Sequence, residues 1–365
     1  MIVKIVELKR YAAKGGPAEV LQEVKLKTGQ GAAGNYLKNP ARQVSLLTTE
    51  ARLWMEQREE KGLCFEKVKE NILLDGVLER GGKLSFGGAV LQINAERKHC
   101  FESCVYRSEA TPCPLTEGMF FANVLHDGIV HSGEAGYHVA PRYARNIRAL
   151  SAEETIALRD KKVCVIGGGG LGGYIVELLA RLGVLHISLV DYDVFEPSNL
   201  NRQLFSTQSG MGMPKVAGAV RRIAEVNSEV TLNGVQEKLT GANATDLLKG
   251  HDVVMDALDN IKTRLLLGRA CRELGIPLVH GSIAGWFGQV CCVFPGDDTL
   301  ERLYRNAVSE KGVEVDLGNL PFTASVIASF QCAECVKILT GREDLIRNAV
   351  LQVDLLYGEC HRIAF

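Results

Sequence analysis

The chain has 365 residues, with 42 basic and 43 acidic side chains, a formal net charge of -1, 46% hydrophobic and 23% charged residues. This is globular rather than disordered or fibrous composition, and the length suits two cores rather than one. The near-zero balance leaves no global positive field to gather nucleic acid or anionic lipid, so any bound anion must be held by local groups.

The opening segment, MIVKIVELKRYAAKGG, scatters charge among its apolar residues and has neither the apolar run nor the cleavage site of a secretory signal. No stretch is expected to reach the ~18 apolar residues of a membrane span. Eleven cysteines at irregular spacing point to reduced thiols in a cytoplasmic chain rather than a disulfide framework.

Up to about Tyr137, short alternating runs separated by glycine turns predict strands over 3–8, 43–47, 83–86 and 90–93, and one through Val124 that turns at Gly128. The pattern predicts a β-barrel over residues 1–137, with a helix over 49–62 on its outside. Late in this stretch Cys100, Cys104 and Cys113 form a C-x3-C-x8-C cluster beside Arg97, Lys98 and His99. Neighbouring cations lower a thiol's pKa, favouring a thiolate that carries a persulfide or meets a soft metal; the same cations suit a phosphate. Simple burial is the competing reading, most of all for Cys104 and Cys113.

Residues 138–162 read as a connector, with Pro141 and a Ser151-x-x-Glu154 capping box opening a short helix. From Val163 apolar strands (163–166, 187–190, 231–235, 253–255, 277–280, 289–294) alternate with amphipathic helices such as 172–181 and 215–226. Residues 138–365 are therefore predicted to form a Rossmann-like α/β domain with a mostly parallel sheet.

In VCVIGGGGLGG, the glycines 167, 169 and 172 follow a strand and open a helix, with Gly170 among them. Such a loop lets backbone approach a phosphate chain that then rests on the helix N-terminus. Asp191 ends the next strand, where an acid meets a ribose. This much suits NAD as well as ATP. Arg202 in SNLNRQ and Lys215 in MPK add two cations, which suit a triphosphate and its pyrophosphate leaving group better than an intact diphosphate. MDALDN places Asp256 and Asp259 at a strand's rim, where a carboxylate can hold Mg2+ against phosphates. Asn199 and Asn260, in the same two strings, complete the candidate nucleotide set.

GGGGLGG, Asp191, NRQ, PK and DALDN, in this order and spacing, resemble the HesA/MoeB/ThiF superfamily, relatives of the ubiquitin-activating enzymes. The resemblance covers about residues 138–365. It implies ATP-dependent adenylation of the C-terminal carboxylate of a ubiquitin-fold sulfur carrier, MoaD-like or ThiS-like, with a Gly-Gly end. Asp191 is implied to bind ribose, Arg202 and Lys215 phosphates, and Asp259 Mg2+. By position, Arg145 in RYARN is implied to reach a neighbouring subunit's ATP site, hence a homodimer. The chain's own end, CHRIAF, lacks Gly-Gly, so the carrier is expected to be separate.

Many relatives hold zinc with two C-x-x-C pairs; here only Cys332 and Cys335 have that spacing, on a helix expected over 322–339, so no zinc is expected. Cys291 and Cys292 lie in a strand-like run and are given no thioester role. The polar stretch 295–319 reads as a loop closing over the carrier tail or as an inert excursion.

The strings VSLLTTEA, CFEKVKENILLDG, LERGGKLSFGGAVLQINAERKHC and CPLTEGMFFANVLHDGIVHSGE resemble the MOSC domain, related to the C-terminal part of molybdenum-cofactor sulfurases. That implies binding of molybdopterin or the molybdenum cofactor, with Cys100 handling sulfur or metal beside Arg97 and Lys98. Together the two halves suggest a fused enzyme of molybdenum or tungsten cofactor assembly. The rival readings are an NAD-dependent dehydrogenase, a non-catalytic pterin-binding scaffold with a regulatory nucleotide site, and adenylation of a tRNA-bound carboxylate, which the neutral charge disfavours.

Overall fold

Strand β1 (Ile2–Arg10) buries Val3, Ile5 and Leu8 and turns the residues between them outward. The spacing lengthens from two to three because the register against its neighbour shifts between Ile5 and Glu7, a bulge that keeps Leu8 on the inner face. In this computed structural model, which describes all residues except 38, 108–112 and 306–313, the chain divides into two compact units, Met1–Ile156 and Ala157–Phe365.

The first unit continues with β2 (Glu19–Leu21), β3 (Glu23–Lys27), β4 (Gly31–Ala32), β5 (Val44–Thr48), β6 (Ile72–Asp75), β7 (Lys83–Phe86), β8 (Ala89–Ile93), β9 (Met119–His126), β10 (Gly128–His131) and β11 (Ala135–Val139). One sheet runs β11-β7-β8-β9-β5-β6-β1-β2 and is closed by a β11–β1 pairing, so the expected barrel is present; β10, β3 and β4 form a small second sheet. Its ladders are antiparallel except β5–β6, which is parallel. The barrel core gathers Ile5, Leu8, Leu46, Leu74, Phe86 and Leu91.

Helix α1 (Thr49–Glu56) starts where the Thr48 hydroxyl accepts from the Ala51 N–H, and it is shorter than the expected 49–62. After Gln57 comes Arg-Glu-Glu-Lys, with nothing apolar to bury, so continuation has no packing to support it. A second core outside the barrel joins Leu47, Ala51, Phe65 and Tyr106 to Cys64, Cys104 and Cys113, with Cys100 packed against it. α2 (Leu115–Gly118) also contributes to this core, and Trp54, Phe65 and Tyr106 stack within it. Residues 138–156, expected in the second domain, group with the first unit, where Val139, Tyr143 and Ala152 form a small core of their own. The Ser151–Glu154 capping box opens α3 (Ala152–Ala157) through reciprocal bonds of 3.0 and 2.7 Å.

The second unit holds β12 (Lys162–Ile166), β13 (His186–Val190), β14 (Thr231–Val235), β15 (Val253–Asp256), β16 (Leu278–Ala284), β17 (Phe287–Val293), β18 (Ala349–Asp354) and β19 (Glu359–Ala364), in the order β14-β13-β12-β15-β16-β17-β18-β19. Pairings among β12 to β16 are parallel, whereas β16–β17, β17–β18 and β18–β19 are antiparallel. The sheet is therefore mixed, with four of its seven pairings parallel: tight turns join β16 to β17 and β18 to β19, while the long segment 294–348 separates β17 from its antiparallel neighbour β18. Its helices are α4 (Gly170–Leu182), α5 (Lys215–Val226), α6 (Ala244–Leu248), α7 (Ile261–Leu274), α8 (Thr299–Leu303), α9 (Glu314–Leu317) and α10 (Pro321–Thr340). α10 ends at Gly341, whose φ of 73° suits glycine. Against expectation, this helix is long and apolar enough to cross a membrane, with a mean hydropathy of 1.3 over its best window, half of which is buried inside the unit. It packs on α4 and under β16.

Candidate functional site

The glycine loop turns out of β12 at Gly167, whose φ of 102° is costly for other residues, and whose missing Cβ would lie 2.5 Å from the Ala257 carbonyl oxygen. At Gly172 a Cβ would sit 1.8 Å from the Gly167 oxygen, so the loop closes on its own helix only through glycine. Gly169 is the N-cap of α4 with no side-chain bond, and Gly170 is its first residue. Both have room: a Cβ on Gly169 meets only Gln203, at 3.7 Å, and one on Gly170 meets the Arg202 stem at 3.5 Å. The N–H groups of α4's first turn thus open onto a space bordered by Arg202 and Gln203, the setting for an anion.

Asp191, buried at the end of β13, accepts from Gly168 N–H at 2.6 Å and Asp193 N–H at 2.8 Å, fixing the loop and the next turn together. Arg202 is half-buried and donates to the Ser198 carbonyl at 3.1 Å and Asn201 Oδ1 at 2.9 Å. Asn199 is committed to a cap: its Oδ1 accepts from Glu196 N–H at 3.0 Å, shaping the turn that carries Arg202. Lys215 is buried and paired with Asp193 at 3.0 Å. Sequence reading passed over Gln203, which is 7% exposed, with its Oε1 lacking a hydrogen-bond partner beside the loop. Its place in NRQ was the available signal.

Asp259 is exposed and accepts from Asn260 Nδ2 at 3.3 Å, while Asn260 Oδ1 caps α7 by accepting from Thr263 N–H at 2.9 Å. Tyr192 shows that these acids converge: Asp193, burial, Asp259 and Asp191 together raise its phenol above the ordinary range. Lys238 lies over the same ring, 5.3 Å from its centre. The loop, the two acids and Arg202 thus gather at the C-terminal ends of adjacent parallel strands, where open α/β sheets bind ligands. Among the described residues no three side chains form a ready metal site. Asp259 at the rim fits a cation shared with phosphate oxygens, the usual mode for Mg2+.

Arg145 lies in the first unit and is exposed; burial, then Arg148 and Arg145, lower the pKa of nearby Lys83. Cys332 and Cys335 are buried in α10, and burial raises both thiols. Cys291 and Cys292 are buried in β17, the former pushed up to about 12 by burial. The expected tail-closing loop 295–319 lies partly outside the described residues; its described parts include α8 and α9.

In the first unit a cavity of about 520 Å³ is lined by Arg42, Arg97, Lys98, His99, Cys100 and Arg107, with Glu96. Three of these cations already face acids: Arg42 with Glu96 at 2.9 Å, Arg97 with Glu117 at 2.7 Å, Arg107 with Glu102 at 3.8 Å. The expected lowering of the Cys100 pKa is not found: burial, then Cys104 and Cys64, raise it, and Lys98 opposes them least. Burial, reinforced by the adjacent thiols, outweighs the half-buried Lys98.

The ThiF family model matches residues 143–365. The SAMP-activating enzyme E1 of Haloferax volcanii is 34% identical over 223 residues, covering 59% of this chain and 81% of that protein. The adenylyltransferase and sulfurtransferase MOCS3 of Dictyostelium discoideum is 34% identical over 225 residues, 58% of this chain and 51% of its own; this chain thus spans about half the length of that relative. The sulfur carrier protein ThiS adenylyltransferase of Bacillus subtilis is 33% identical over 189 residues, 51% of this chain and 56% of its own. The structure of E. coli MccB with ATP superposes with a TM-score of 0.53 at 17% identity, over 61% of this chain and 71% of that one, a likeness of fold.

Proposed function

The chain belongs to the ThiF family, and from that premise we propose that its second unit adenylates the C-terminal carboxylate of a ubiquitin-fold sulfur carrier ending in Gly-Gly. The observation that carries the reading is the glycine loop opening onto Arg202, Asp191 and Asp259 at one end of the parallel strands. A carboxylate is ionised at neutral pH and needs no base to attack the α-phosphorus; the difficulty is bringing two anions together and releasing pyrophosphate.

The phosphates are assigned to the N-terminus of α4 and the ribose to Asp191. Arg202 supplies a fixed positive fork beside that helix end. Lys215 stands ready to exchange Asp193 for a phosphate oxygen. Gln203 Oε1, unpartnered, takes a donor from nucleotide or water. Mg2+, when bound at Asp259, would neutralise charge on the departing pyrophosphate. The product is a carrier acyl-adenylate.

Two further parts complete the reading. Arg145 reaches the site of a second subunit, so the working form is a homodimer in the cytoplasm. The first unit is MOSC-like and holds molybdopterin or its metal form, its phosphate against Arg97 and Lys98, with Cys100 handling sulfur. Cations and a thiol in one cavity suit such a group, although Cys100 is held as the neutral thiol in the absence of added charge.

The test is ATP–pyrophosphate exchange with a MoaD-like or ThiS-like carrier. Exchange needs the Gly-Gly tail, and Arg202→Ala or Asp259→Ala lowers it about 100- to 1000-fold. Unchanged exchange in both variants, or nicotinamide rather than ATP binding, sinks the assignment.

A further inference from the structure

Below the turn that carries Asp259 lies a chain of buried polar groups that touches none of the assigned nucleotide contacts. Asp256 ends β15 at 0% exposure, as does His280 in β16, and Arg264 on α7 is 5% exposed. Asp256 Oδ1 accepts from Leu258 N–H at 3.0 Å, and its Oδ2 faces His280 Nδ1 at 2.7 Å. A carboxylate at Nδ1 places the ring proton there, leaving Nε2 to accept from the Tyr304 hydroxyl at 3.1 Å. That hydroxyl in turn accepts from Arg264 Nη1 at 3.1 Å, and Arg264 Nη2 donates to the Leu258 carbonyl at 2.5 Å. Tyr304, next after α8, also stacks edge-on against the His280 ring, with centres 5.7 Å apart. Gln331 on α10 ties off the Asp256 carbonyl at 2.8 Å.

The consequence is local and specific. Leu258 is held at both its N–H and its carbonyl by one connected network, and Asp259 is the next residue. An apolar cluster of equal volume fills such a space at no loss of stability. What it cannot do is fix the direction in which a short turn presents its exposed carboxylate. Resting on the adenylation reading above, we propose that Asp256, His280, Tyr304 and Arg264 are positioning residues that set the Asp259 carboxylate at the mouth of the nucleotide crevice.

Tyr304→Phe removes one hydroxyl and keeps the ring, and Arg264→Lys keeps the charge and loses the fork that spans Leu258 and Tyr304. The expected result is a fall in kcat for exchange, about tenfold for Tyr304→Phe and about 100-fold for Arg264→Lys, with KM for ATP unchanged and half-saturating Mg2+ raised. Mn2+ binding in the presence of a non-hydrolysable ATP analogue, followed by electron paramagnetic resonance, weakens in the same order. A network that serves packing alone lowers the melting temperature and leaves kcat and Mn2+ affinity at wild-type values, which overturns the proposal. Should Arg264→Lys fail to fold, Tyr304→Phe decides by the same readings. Should the wild type show no exchange with any carrier, the adenylation reading fails; the network is then judged on Mn2+ affinity, and unchanged affinity in the variants overturns it.

Discussion

A missing Cβ separates two kinds of glycine in the loop. Gly172→Ala forces a carbon to within 1.8 Å of the Gly167 oxygen, so the loop must open. The expected outcome is a lowered melting temperature together with lost ATP binding. Gly170, by contrast, is the first residue of α4, and its missing Cβ would meet nothing closer than the Arg202 stem at 3.5 Å. Gly170→Ala therefore keeps the melting temperature while ATP affinity falls about tenfold or more, because the added methyl enters the space assigned to phosphate. Calorimetry paired with nucleotide titration separates the two, and equal behaviour of the variants argues against a phosphate at this loop. Glycine spacing made this loop legible, since steric need repeats locally. The thiol chemistry of Cys100 was not legible, because burial, which no sequence neighbour reveals, sets the direction of its pKa, and Cys104 and Cys64 add to it against Lys98.

At the scale of elements, Asn260 shows how a site is carried by a helix start. Its side chain caps α7 through the Thr263 N–H. Asn260→Ala is expected to cost about 1 kcal/mol of stability in denaturant titration. It should also lower exchange activity, since the cap and Asp259 share a turn. Strands β12, β13 and β15 were readable because most of their positions are buried and their sequences are predominantly apolar. β19 was not, because all six of its residues are exposed and ECHRIA carries no hydrophobic period. β2 and β4, of three and two residues, are too short for any period to show. The network under Asp259 draws on β15, α7, β16 and the residue after α8, so no window of sequence contains its pattern.

At the scale of the molecule, the two units have separate cores, and acid should affect the first through one side chain. His138 is 1% exposed, its Nε2 accepting from the Glu79 N–H at 3.1 Å; burial, then the Met1 ammonium, lower its pKa to about 4. The unfolded chain takes up this proton near pH 6.5 and the folded unit only near pH 4. Between those values the unfolded state binds more protons, so stability falls as pH falls, by about 3 kcal/mol over the full window. Calorimetry at pH 7, 5.5 and 4 should show this loss in the first unit's transition, with a flatter profile in His138→Gln. An unchanged profile would mean that other groups govern the acid response.

The parallel β5–β6 pair has a consequence for how the first unit's chemistry is built. A parallel pair cannot be joined by a hairpin, so the chain makes an excursion of residues 49–71, which carries α1 and Cys64. The connection from β8 to β9 brings Cys100, Cys104 and Cys113 to the same core. The thiols are thus mounted on two long connections and on none of the barrel's ladders. Register and thiol chemistry are set by different parts of the chain: the ladders fix the barrel, and the two connections decide which thiols meet over Leu47, Leu73 and Met119.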